Sequence, residues 1–540
     1  MSGGTADLPD RLSLQSAQWI LVSLVPWWTS LAAIVAILLF PLLLTDVPPL
    51  LDYPNHLARI FVLKNAPDDP FLSLMYAPHW SVIPNLAVDV LGFLLLHVVS
   101  IHVAGRIVVG IAVLMPVLGL IYYARTTSGV RSYWPFGAAL LGYNSLLLLG
   151  FLSFQISIGL AFVTAAIWHS GREDHLWRTA LIVAVLSVAV FFCHIMGLVF
   201  LAILLFASEA ADSRKWQYPR HRSVRLAAFA FVFATPVFLY FLSDLAADSN
   251  SAAWTSTWSE KLLSLFQPFL NYDWRLDITT AVVVVGALYV GLVIRMGTLS
   301  RPAGIAFLFA MLLFAVAPNT FKGATYFESR FLLFAMFLLF ACYVPKRVPT
   351  LFTTATHSAI ALLFLARMAL LGFAWHGHAD DISQLRETIS TVAPGTRVLV
   401  VSVGSDVLPA DWATRRWRAG VVVGFRRTDS HLPGLLVIER RAFWPLLFAV
   451  PSQHPVRVLS PYRLIPIDFG ELPDYSLLAE DHLSANELRA FPYFLQWSTS
   501  FDDVLVLNAR GLPDLESFLP NKLQLIHATD MAALFRIRKQ

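Results

Sequence analysis

The chain has 540 residues, 57% of them hydrophobic and 14% charged, with a mean hydropathy of +0.65. Water-soluble domains carry about a quarter charged residues, so this balance excludes a soluble globular enzyme and calls for lipid around most of the apolar surface. The 39 basic and 35 acidic residues leave a formal charge of +4 with no basic run, which excludes nucleic acid as a partner, and the two cysteines, Cys193 and Cys342, sit in apolar runs as small hydrophobes, not as a disulfide framework or metal site.

The polar stretch through Gln18 precedes an apolar run to Thr45 that is too long for a signal-peptide core and reads as a first span, with Trp27 and Trp28 at the interface. Further runs of span length lie near 85–101, 104–124, 134–149, 151–168, 179–207, 226–243, 278–294, 303–317, 331–344 and 351–373. These predict a polytopic α-helical membrane protein of about eleven spans, with 134–168 divided at Gly150. The connector 209–225 carries Arg214, Lys215, Arg220, Arg222 and Arg225 and belongs in the cytoplasm. Span parity then puts Arg295, Arg301, Lys346 and Arg347 on that side and Arg125, Arg131, Arg172 and Arg178 on the other. The loops 46–84 and 318–330 and residues 374–540 all fall on the outer side of a bacterial-type inner membrane.

The first outer loop, 46–84, is long for a connector, and loops of this size are usually functional. Within it Asp52, His56 and Arg59 stand four and three residues apart. A helix starting after Pro54 would set His56 and Arg59 on one face with Asp52 at its start, converging a carboxylate, an imidazole and a guanidinium at the membrane surface, with Arg59 as a substrate-binding candidate. The plainer alternative has Asp52 capping the helix and Arg59 meeting lipid phosphates. Asp68 and Asp69, in an Asn-Ala-Pro-Asp-Asp-Pro run, read as turn formers.

Gly150 to Gly159 (GFLSFQISIG), with Gln155, suits close helix packing, and His194, midway along 179–207, reads as a histidine bonded between helices. The aromatics of 246–276, including Trp254, Trp258, Tyr272 and Trp274, fit an interfacial belt. The loop 318–330, PNTFKGATYFESR, gathers Lys322, Tyr326, Glu328 and Arg330 as substrate-binding candidates. Arg330, at a span boundary, has a fork able to hold a phosphate bidentately, with snorkelling to the headgroups as the alternative.

After Phe373 the composition turns mixed, which divides the chain into a transmembrane domain, 1–373, and a soluble α/β domain, 374–540. Asp381 to Val392 and 484–491 have helical spacing, RVLVVSV (397–403) and DVLVL (503–507) read as buried strands, and Leu435 to Glu439 and Leu523 to His527 are weaker strand candidates. No Gly-rich phosphate loop follows either strong strand, so no nucleotide site is expected.

This order of parts resembles the GT-C superfamily of integral membrane glycosyltransferases: Asp52 in LDYPNHLAR just after the first span, Glu328 to Leu333 (ESRFLL) before a late span, and an outer C-terminal domain. The resemblance implies a polyprenyl-phosphate-linked sugar as donor, a glycan, lipid or protein as acceptor, a first-loop acid that is a catalytic base or a metal-linked carboxylate, and a late-loop arginine on the carrier phosphate. Those roles fall to Asp52, with His56 beside it, and to Arg330. The paired acid that directly follows in the family is Tyr53 here, so the sequence names no ligand set for a divalent metal. The competing reading is a non-catalytic component or transporter of lipid-linked intermediates, for which only His194 and the glycine-rich 134–159 stretch speak. An interaction scaffold, indifferent to Asp52, is the third.

Overall fold

The computed structural model describes residues 26–212, 218–247, 251–346, 351–403, 421–422, 426–465, 472–479, 483–512 and 517–539. Among these residues, seven helices are long and apolar enough to cross a membrane: Pro26–Leu43, Ile101–Ser128, Leu152–Gly171, Leu176–Cys193, Arg220–Leu242, Trp274–Val293 and Leu351–Ile389. The shorter apolar helices Ile195–Ala210 and Arg301–Val316 stand among them. Phe327–Cys342 runs through the centre, buried from Glu328 onward.

Three of the expected spans take other forms. The run 85–101 yields only the nine-residue helix Ala87–Leu95, and nine residues at 1.5 Å each fall far short of a bilayer of about 30 Å. The run 134–149 becomes the 3-10 helix Trp134–Leu141 followed by the short helix Ser145–Leu148, every residue of both buried. Irregular backbone at membrane depth is tolerated where protein encloses it. Here Asn144 accepts from the Leu147 N–H, donates to the Leu141 carbonyl and receives the Gln155 side-chain amide.

The run 179–207 is two helices, Leu176–Cys193 and Ile195–Ala210, parted at His194, whose backbone is extended (φ −169°) and whose ring Nδ1 accepts from the Met196 N–H as a helix cap. Each arm is apolar, so hydropathy shows one run where the chain reverses.

That reversal corrects the charge assignment. The connectors before Leu176 and after Ala210 meet at one end of the bundle, where Arg172 bonds Asp212 and lies 3.2 Å from Glu209, and Arg225 bonds Glu173. Helices Ile101–Ser128 and Leu152–Gly171 run side by side in the same sense, Gly119 against Gly159 and Tyr123 against Phe162, which brings Arg125 to that end as well. Trp27 donates to the Ser132 carbonyl, and Gly297–Leu299 pairs with Tyr343–Pro345 beside Trp134. Arg125, Arg131, Arg172 and Arg178 therefore share an end with Arg220, Arg222, Arg225, Arg295, Arg301 and Lys346. Arg214, Lys215 and Arg347 lie outside the described residues.

Helix Leu351–Ile389 passes position 373 without a break, so the change of composition falls inside a 39-residue helix that leaves the bundle and enters the C-terminal region. There a four-stranded sheet has the order Leu523–Ala528, Ala532–Ile537, Asp503–Leu507, Val398–Ser402. The two strands read most strongly from sequence are parallel neighbours, fully buried, and the other pairings are antiparallel. Leu435 to Glu439, expected as a strand, is instead the helix Gly434–Arg440. A short apolar run has no period that separates a strand from a buried helix. Gly434 sits so close to the first loop that a Cβ would lie 2.7 Å from the Pro54 carbonyl oxygen. Asn55 bonds the Leu446 carbonyl and the Phe448 N–H, and Tyr76–Pro78 pairs with Val456–Val458. The first loop and the C-terminal region thus form one packed layer over the bundle end opposite Arg172.

Candidate functional site

Asp52 is the residue before helix Tyr53–Asn65, but its backbone is αR and its side chain makes no cap bond. The capping alternative is therefore not realised. Its carboxylate Oδ1 lies 3.1 Å from His431 Nδ1, without the alignment of a hydrogen bond. The backbone beneath it is fixed: the Leu51 and Asp52 N–H groups donate to the Leu148 and Leu149 carbonyls. Gly150 follows at φ +94°, where a Cβ would lie 2.6 Å from Asp52 Cβ. Only glycine satisfies both the left-handed backbone and that close approach.

His56 and Arg59 do share a helix face, as the spacing predicts, and both side chains bond within the protein. Arg59 Nη2 donates to His56 Nδ1 at 3.0 Å, which leaves Nε2–H to donate to the Gly150 carbonyl at 3.1 Å. Burial, with the Arg59 charge adding to it, pushes the His56 pKa well below its usual 6.5. Arg59 is buried and gives Nε and Nη2 to the two oxygens of buried Asp89, at 2.5 and 3.0 Å. Its guanidinium is thereby paired inside the protein with Asp89 and His56. Asp69 accepts from the Phe71 and Leu72 N–H groups, a turn former as read.

On the other flank, Tyr326 is left-handed at the start of Phe327–Cys342, its ring edge-on to Phe151. Glu328 is buried, paired with Lys261 at 2.9 Å and bonded by Asn319 and Ser256. Lys322 Nζ donates to the Leu245 carbonyl. Arg330 turns toward the Gly150–Phe151 turn: its guanidinium lies 5.0 Å from the Phe151 ring and 5.5 Å from Phe154, with Nη1 2.9 Å from His194 Nε2. A snorkelling arginine reaches out to the headgroups; this one is folded into the protein and buried.

One turn therefore serves both flanks, Gly150 lying under Asp52 and Phe151 under Arg330. Sequence reasoning missed His431, Asp89 and the Phe151 platform, gave Lys261 of the loop 246–276 no role, and read His194 as an interhelical histidine. Asp89 alone left a signal, as an acid just inside an apolar run; His431 stands in a turn-like TDSHLPG segment with none.

The described residues around Asp52 do not make up a ligand set for a divalent metal. The second acidic position is Tyr53, whose buried hydroxyl lies over Gly105, and among the described residues no three His, Cys, Asp or Glu groups are placed to hold one. Among the described residues, a carboxylate without an aligned hydrogen bond and a guanidinium without a carboxylate partner remain, across one turn.

No family model matches the chain, and no curated protein sequence does. Among solved structures it is similar to the crystal structure of ArnT from Cupriavidus metallidurans in the apo state, with a TM-score of 0.49 and 13% identity over 97% of this chain and 98% of that one. It is also similar to that of ArnT from Cupriavidus metallidurans bound to undecaprenyl phosphate, with a TM-score of 0.47 and 12% identity over 95% of this chain and 98% of that one.

Proposed function

We propose that this protein is a membrane glycosyltransferase of GT-C type that moves a sugar from a polyprenyl-phosphate donor to an acceptor hydroxyl on a glycan, lipid or protein. The observation that carries the reading is the Gly150–Phe151 turn, which sets a carboxylate and a guanidinium on either side of one short stretch of backbone. Asp52 takes the proton of the acceptor hydroxyl, the oxygen attacks the anomeric carbon, and the bond from that carbon to the carrier phosphate breaks. The proton ends on Asp52, and the electron pair leaves with the phosphate, whose charge Arg330 meets. His431 faces the carboxylate from the C-terminal region and orients it.

Charge supports an outer-face site. Arg125, Arg131, Arg172, Arg178, Arg220, Arg222, Arg225, Arg295, Arg301 and Lys346 stand at helix ends and in the connectors between them at the end opposite Asp52, the bias expected of a cytoplasmic face. This bias supports a site and residues 374–540 on the outer, periplasm-like side of an inner membrane. A lipid-borne donor suits a site there, its sugar in water and its carrier in lipid. Transport is the weaker reading, because the broken helix at His194 meets Arg330 at the site end and not at mid-bundle, where transporters place such breaks.

Purified protein supplied with a panel of polyprenyl-phosphate sugars and candidate acceptors should release carrier phosphate for one pairing. Release that persists undiminished in Asp52→Asn would remove the carboxylate from the mechanism.

A further inference from the structure

The segment 251–264 carries two faces that do not belong together in water. The seven-residue helix Trp258–Ser264 begins with a Thr257–Glu260 capping box. It turns Trp258, Leu262 and Leu263 outward at 71%, 64% and 71% exposure, with Trp254 at 64% just before it. Its one inward charge, Lys261, is buried. The ammonium donates to the Phe314, Ala315 and Ala317 carbonyls, which end helix Arg301–Val316, and pairs with Glu328 at 2.9 Å. Three carbonyls and a carboxylate satisfy a lysine that would otherwise be costly to bury.

The same segment is bolted to the loop that leads to Arg330. Ala252–Ala253 pairs with Thr320–Phe321, Trp254 donates to the Val316 carbonyl, and Asn319 takes the Thr255 and Ser256 N–H groups while donating to Glu328. The outward apolar face continues into exposed Leu312 and Val316 on the apolar helix Arg301–Val316. Aromatic and leucine side chains on a short helix, with its polar caps at one end, match the headgroup boundary of a bilayer.

We propose that helix Trp258–Ser264 lies in the outer bilayer interface and, through Lys261 and Glu328, holds the 318–328 loop in the form that presents Arg330. Lipid contact on one side of the helix thereby sets the geometry of the anion-facing group on the other. The link from Arg330 to a lipid carrier rests on the glycosyltransferase reading, whereas the lipid contact and the hold on the loop do not.

The test uses the full chain in nanodiscs. A bimane on Leu263→Cys, with Cys193 and Cys342 changed to Ala, should be strongly quenched by lipids brominated near the headgroup end of their acyl chains. The Trp258→Ser, Leu262→Ser, Leu263→Ser triple variant should speed amide exchange across 319–328 by about tenfold or more, as local opening of a released segment does. Lys261→Met should do the same with the apolar face intact, and it stands in for the triple variant should that fail to assemble. An unquenched label, or unchanged exchange in Lys261→Met, overturns the inference. Wild-type protein that shows quenching and a protected loop yet binds no polyprenyl phosphate would sink the glycosyltransferase reading and leave this one standing.

Discussion

The two flanks of the site solve the same electrostatic problem in the same way. In the first loop the sequence clusters Asp52 with Arg59; in the late loop it clusters Glu328 with Arg330. Neither cluster pairs internally. Arg59 goes to Asp89, thirty residues on, and Glu328 goes to Lys261, sixty-seven residues back. What remains on each side is one charge facing an imidazole, Asp52 before His431 and Arg330 before His194. Opposite charges a few residues apart would have neutralised each other; an outside partner for one of them leaves the other available. Buried pairs of this kind add little net stability and are expensive to break, so they serve here to decide which charge stays open.

The sharpest way to break the comparison is to remove the open charges. Asp52→Asn should lower turnover about 100- to 10,000-fold with an unchanged melting temperature, since the side chain caps nothing. Arg330→Lys should fail almost as badly as Arg330→Ala in carrier-phosphate release, because an ammonium lacks the planar fork; full tolerance of lysine would return Arg330 to a passive place at the interface.

The closed charges should behave in the opposite way. Arg59→Ala or Asp89→Ala strands a buried charge and should cost about 3–5 kcal/mol, read as a lowered melting temperature in detergent. The paired change Arg59→Met with Asp89→Leu should recover most of it. Single variants that melt like the wild type would show that the pair is not closed.

Gly150→Ala acts on the turn that both flanks share. A left-handed non-glycine residue costs about 1–3 kcal/mol, and the added methyl pushes on Asp52, so stability and turnover should fall together. Loss of stability alone would mean that the turn carries the fold and not the site.

The smallest effect is a slope with pH. His56 and His454 are held neutral by burial, with Arg59 adding to both, so their folded pKa values lie well below the usual 6.5. The unfolded chain therefore takes up protons first on acidification. Their contribution is complete above about pH 6.5 and is lost as the pH falls below it, by at most about 1.4 kcal/mol per pH unit for each group. His56→Asn should flatten the melting temperature against pH between 6.5 and 5; an unchanged slope would remove His56 from that account.

Much of the scaffold was legible in advance. Apolar runs of bilayer length located Ile101–Ser128, Leu152–Gly171 and Trp274–Val293, and the all-apolar runs at 397–403 and 503–507 located two neighbouring strands. Asp52 stood out because an acid four residues before a histidine follows a first span. The misreadings cluster where local composition is uniform and the chain direction is not: 85–101 is too short to cross, 179–207 reverses at His194, and 435–439 coils instead of extending.

What the sequence determined by itself was the set of properties that add up along the chain, namely membrane residence, the lengths of the simple spans and the presence of a mixed C-terminal region. These depend on how much apolar surface a segment carries, which neighbours in space do not alter. Only the tertiary structure decided which charges stay open. Asp52 meets His431 across 379 positions of chain, and Arg330 meets His194 across 136. Such pairings follow from packing geometry, and a buried charge is governed by whichever partner the fold brings within about 4 Å, wherever in the sequence that partner lies.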